Sequence, residues 1–168
     1  LVGSEMCIRD RDIEHYLSLG LSGVQMATRF VATKECDASD AFKNMYVKAK
    51  EGDVTIVQSP VHMPGRALLN PFVKAFRQHR IPVTNCFHCL KTCDPATTPY
   101  CISMALIRAV RGDVDHGLVF SGANSWKIDK ITTVHDLIQE LTQDPVDETI
   151  PTDASDKTIP VEQVKKQA

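Results

Sequence analysis

The sequence contains no run of about 18 apolar residues, the length that a membrane-crossing helix requires. Near its start there is no apolar h-region of the kind a secretory leader carries. Neither sign of charge dominates. The formal net charge is -2 over 168 residues, so no global basic field exists to hold nucleic acid or an anionic membrane. No internal repeat is visible. These absences point away from nucleic-acid and membrane partners and towards a cytoplasmic protein.

What is present is ordinary in bulk and unusual in one place. Apolar residues make up 43% of the chain and charged residues 24%, enough for one domain with a real core. Four of the six cysteines, Cys86, Cys89, Cys93 and Cys101, fall within sixteen residues, spaced C-x2-C-x3-C-x7-C. Without a secretory leader, metal binding or redox chemistry is a better reading of such a cluster than a disulfide framework.

Local patterns divide the chain into alternating helices and strands. Ile13, Tyr16, Leu17 and Gly20 share one helical face, with Gly20 as the stop. Gly23-Val24-Gln25-Met26 reads as a short buried strand ending in small and hydroxyl residues, the grammar of an αβ unit. Asp37 or Ser39 can cap a helix from Ala41 to about Lys50, ended by Gly52. Val54 to Val57 is a β-branched strand, and Met63-Pro64-Gly65-Arg66 reads as a turn presenting an arginine. Asn70-Pro71 opens a helix through Gln78, and Thr98-Pro99 looks like the cap of a second helix from Tyr100 to Val110. Gly117 to Phe120 is extended and Gly122-Ala123-Asn124 is a turn. Val134 to Leu141 forms a last helix with Val134, Leu137, Ile138 and Leu141 inward. Residues 144–168 carry no period and read as a disordered tail.

The first ten residues, Leu1 to Asp10, show neither a helical nor a strand period. They resemble one translated frame of a transposase-type sequencing-library adapter. Residues 1–11 are therefore expected to take no part in the fold, Cys7 is discounted, and the gene is expected to continue upstream.

Three stretches together carry a family resemblance: Gly23 to Phe30, Ser59 to Arg66, and Gly122-Ala123-Asn124. From about Asp12 to Leu141 the chain resembles the C-terminal part of the FMN-dependent nitronate monooxygenases (2-nitropropane dioxygenases), a family that includes enoyl-acyl-carrier-protein reductase II. The resemblance implies an α/β fold: the C-terminal end of a TIM barrel, its last strand and helix, plus an appended smaller α/β region. The corresponding segments are 12–50 for the last barrel unit and 51–143 for the appended region. The family's Gln-x-Gly-Thr signature, which holds the FMN phosphate, maps onto Gln25, Met26, Ala27 and Thr28. Ala27 stands where glycine is usual, which is harmless at negative φ and strained at positive φ. The Gly122-Ala123-Asn124 turn is placed by the family over the barrel mouth. None of the six histidines falls in the family's catalytic motif, so no catalytic residue is assigned. The implied activity is oxidation of an alkyl nitronate with O2 through FMN. The alternative within the family is NAD(P)H-dependent enoyl-thioester reduction, and outside it a non-catalytic metal or redox module built on the cysteines.

For the cysteines three readings stay open. A [4Fe-4S] cluster takes four thiolates, and the spacing is similar to the C-x2-C-x3-C-x11-C stretch of iron–sulfur flavoenzymes on the same barrel, with a shorter last gap. Zinc would use the four cysteines, or three with His88. The third reading is reduced, half-buried thiols. Cys36 stands apart as a small core hydrophobe.

Overall fold

The computed structural model describes residues 2–4, 10–60, 63–91 and 93–142, with side chains from Asp12 onward. The architecture is mixed α/β. Strand β1 (Val2–Ser4), helix α1 (Asp10–Ser18) and strand β2 (Gly23–Gln25) form a crossover unit whose strands pair in parallel, Val2 opposite Gly23 and Ser4 opposite Gln25. A strand at Val2–Ser4 departs from the expectation that residues 1–11 stay outside the fold. A parallel ladder is made by backbone groups, so a segment without a side-chain period can still complete one. Gly20 ends α1 at φ 86, the left-handed conformation its lack of a Cβ permits.

Beyond β2 come a single-turn helix α2 (Thr28–Val31) and helix α3 (Asp40–Val47). Ser39 is the residue that caps α3, its hydroxyl accepting from Phe42 N at 3.3 Å. Strands β3 (Val54–Gln58) and β4 (Pro64–Leu68) then pair antiparallel, Val54 opposite Leu68 and Gln58 opposite Pro64. The expected turn at Met63 to Arg66 is therefore mostly strand. Pro64 sits at the first strand position, where its missing N–H costs least. Gly65 lies under the ring of Phe120, whose Cε1 would be 2.6 Å from a Cβ there. Close packing, rather than turn geometry, accounts for this glycine.

Helix α4 (Pro71–Gln78) begins as expected. Asn70 Oδ1 accepts from Val73 N at 2.9 Å with Pro71 in the first turn. Helix α5 (Ile102–Arg111) starts two residues later than Thr98-Pro99 suggests, because Tyr100 turns inward instead. Its ring packs edge-on against Phe72 and tilted against Phe76, and its hydroxyl donates to Gln58 O at 3.2 Å. Gly112 ends α5 at φ 104. Residues 118–121 run extended beside β4, with Leu68 N donating to Val119 O and Ser121 N to Arg66 O. A 3-10 turn at Ser125–Lys127 and helix α6 (Val134–Thr142) follow. On α6 Leu137 is fully buried, but Ile138, expected inward, is exposed. The tail expected at 144–168 lies outside the described residues.

Alternation along these strands makes two apolar clusters on opposite faces. Ala67 and Leu118 join Val57, Phe72, Val73, Tyr100 and Ala105 in one, and Leu68 and Val119 join Tyr46, Ala32, Ala109 and Ile128 in the other. No helix among the described residues is long and apolar enough to cross a membrane.

Candidate functional site

The end of β2 and the start of α2 form the first candidate site. Gln25 and Ala27 are exposed there, Met26 is half-buried and Thr28 is buried. Ala27 has φ -124, so a methyl group replaces the usual hydrogen without backbone strain. The side chain of Thr28 faces into the protein, where its Oγ1 accepts from Gly122 N at 3.0 Å. Ser121, immediately before, donates its N–H to Arg66 O at 3.0 Å. Three stretches far apart in sequence thus adjoin at one place: Gln25 to Thr28, the strand bearing Arg66, and the Gly122-Ala123-Asn124 turn. Ser121 Oγ, 2.6 Å from Ser125 Oγ, ties that turn to the 3-10 segment.

The residues fit a phosphate on chemical grounds. The first N–H groups of a helical turn have no partner within the helix and point outward along its axis. A small residue at Ala27 leaves room for close approach, and the hydroxyl of Thr28 keeps a proton to donate while its oxygen accepts from Gly122 N. Arg29, next in line, is buried and gives its Nη2 to both carboxylate oxygens of Glu140, at 2.6 and 2.8 Å. Its Nε is buried without a hydrogen-bond partner among the described residues. Sequence reasoning missed this pair, since 111 residues separate its members.

The second candidate site is the cysteine loop. Cys86, Cys89, Cys93 and Cys101 all line one cavity of about 200 Å³, together with Phe87, Leu90 and Ile102. All four thiols are free, three half-buried and Cys89 exposed. Arg80 supports the loop from below, its Nε donating to Thr98 O at 2.9 Å and its Nη2 to Pro95 O at 2.6 Å. Asp94 folds the following turn by accepting from Ala96 N and Thr97 Oγ1. Among the described residues no three His, Cys, Asp or Glu side chains stand close enough to chelate a single metal ion. Tetrahedral zinc with bonds of 2.3 Å needs its sulfurs about 3.8 Å apart. His88 lines the same cavity but is exposed, as are His15, His79, His116 and His135. His62 lies outside the described residues.

Residues 7–144 match the family described as nitronate monooxygenase, and the chain belongs to that family. Among solved structures it is similar to FabK from Thermotoga maritima, with 27% identity and a TM-score of 0.68 over 83% of this chain and 42% of that one. The M276A mutant of the same protein gives 26% identity and a TM-score of 0.65, over 83% and 39%. A nitroalkane oxidase from Streptomyces ansochromogenes shares the fold at 18% identity and a TM-score of 0.62, over 83% and 37%. The chain therefore spans about two fifths of the length of these structures. No curated protein matches it.

Proposed function

We propose that this chain is the phosphate-binding side of an FMN-dependent oxidoreductase site that oxidises alkyl nitronates with O2. The observation that supports this most directly is the meeting of Thr28 with Gly122, and of Ser121 with Arg66, at the exposed end of β2. All three family stretches converge there. In this reading Gln25, Met26, Ala27 and Thr28 hold the cofactor: backbone N–H groups and the Thr28 hydroxyl take the phosphate, and Ala27 permits its approach. The Gly122-Ala123-Asn124 turn, anchored through Thr28, borders the same place and helps exclude water. FMN, when bound, supplies the electron-transfer and oxygen chemistry. The base that acts on substrate is expected outside this chain, in the remainder of a TIM barrel.

Nitronate-dependent O2 uptake by the protein carrying the whole barrel tests the reading. Uptake that falls when Thr28→Val is introduced and recovers with Thr28→Ser is the expected result. NAD(P)H-dependent reduction of an enoyl thioester without nitronate turnover would replace it by the FabK-like alternative, and inactivity in both assays would overturn it.

A further inference from the structure

We infer that the cavity ringed by Cys86, Cys89, Cys93 and Cys101 is the seat of a four-iron, four-sulfur cluster held by their four thiolates. The inference is independent of the flavin site. It rests first on convergence. Three of the cysteines come from the loop after α4 and the fourth from the cap of α5, yet all four face one cavity. A cubane cluster takes four thiolates, one per iron.

The cavity also has room for more than a single ion. The cavity measures about 200 Å³, whereas a single water occupies about 30 Å³. Four thiols around one cavity suit a cluster, whose irons sit at the corners of a cube and whose thiolates radiate from it. The remaining wall mixes the apolar side chains of Phe87, Leu90 and Ile102 with His88, Lys91 and Thr98.

Two local details point the same way. His88 is the single non-glycine residue with positive φ among the described residues, at 51. That costly conformation turns its N–H onto Cys86 Sγ at 3.4 Å. Ser103 Oγ lies 3.0 Å from Cys89 Sγ. Hydrogen bonds to ligating sulfurs are among the features that tune iron–sulfur centres. Cys101 occupies the N-cap of the ten-residue α5, where the helix dipole favours negative charge. Lys91, also on the wall, brings a positive charge to a site that would carry net negative charge when filled.

The test uses the chain itself, purified without oxygen and incubated with ferric iron, sulfide and a thiol that reduces half of that iron, then desalted. About four irons and four sulfides per chain are expected, with a broad visible absorbance that dithionite bleaches. Alkylation of the filled protein, mapped by peptide mass spectrometry, should spare Cys86, Cys89, Cys93 and Cys101 while Cys36 labels as it does in the unfilled chain. Cys93→Ser should lose the chromophore and Cys36→Ser should keep it. Should Cys93→Ser fail to fold, the alkylation footprint of the unmodified chain decides alone. Retention of one zinc in place of iron, iron without sulfide, or labelling of the four clustered cysteines equal to that of Cys36 would each overturn the inference.

Discussion

Tyr100 shows how one side chain ties stability to pH. Burial pushes its phenol from 10 up to about 12, because the charged form would have to leave water. Between those values the unfolded chain has lost the proton and the folded one still holds it. Stability from this group is therefore complete below pH 10 and is lost as pH rises through about 12. Tyr100→Phe keeps the rings stacked on Phe72 and Phe76 and removes the bond to Gln58 O, at a cost of about 1 kcal/mol near neutral pH. Urea melts across that alkaline window should show a shallower decline for the variant than for the parent. A second residue-scale case is Gly117. A Cβ there would lie 2.4 Å from Ala109 N and 2.6 Å from Ala109 Cα, both in the backbone of α5. Gly117→Ala should cost about 3 kcal/mol. Adding Ala109→Gly should restore little, since the nearest obstacles are main chain. Recovery of the parent's thermal midpoint in that double variant would contradict the packing argument.

At the scale of elements, Asn70 links α4 to the segment that follows α5. Its Oδ1 caps α4 while its Nδ2 donates to Val114 O at 2.6 Å and Gly117 O at 2.8 Å, all in a buried position. Asn70→Ala removes a cap, worth about 1 kcal/mol, and strands the buried Gly117 carbonyl at about 1 kcal/mol or more and the half-buried Val114 carbonyl at less. Asn70→Asp keeps the cap but sets a buried acceptor against two carbonyl oxygens, so thermal melts should rank it no higher than the alanine variant. The cap itself was legible in the sequence, because Asn-Pro before an apolar period is a local signal. So were Ser39 and Gly20, each set by chemistry within a few residues. What escaped was decided across the chain. Met63 to Arg66 reads as a turn until β3 pairs with Pro64 to Leu68. Tyr100 reads as helix until Phe72 and Phe76 claim its ring. Arg29 carries no local sign of Glu140. The four cysteines were legible as ligand types, but only the fold brings Cys101 to the other three. The Arg29–Glu140 pair fixes α6 beside α2, and Glu140→Gln should cost about 2 kcal/mol, because Arg29 would stay buried while its partner, about a third exposed, loses its charge.

For the whole molecule the two sheets differ in what supports them. β3, β4 and residues 118–121 carry apolar clusters on both faces, with α3, α4 and α5 packed over them. The parallel pair β1–β2 is covered by α1, which in turn meets α6, and Leu17 and Leu19 are exposed. Parallel strands are stable when both faces are covered, and a two-stranded sheet has little stability alone. Opening of the β1–β2 unit should therefore cost far less than global unfolding. Hydrogen exchange read by mass spectrometry should find amides of Gly23–Gln25 exchanging with about those of surface loops, while peptides from α5 and β4 exchange only through global opening. The Gln25 to Thr28 turn hangs from this weakly supported strand. Any phosphate site there must pay the cost of ordering it, so the chain by itself should bind FMN weakly, with quenching of flavin fluorescence only at high protein concentration. Addition of FMN should slow exchange at Gly23 to Thr28 and leave α5 unchanged. Equal protection of β2 and α5 before any ligand is added would show that the pair is held as firmly as the core, and the expectation of weak binding would fall with it.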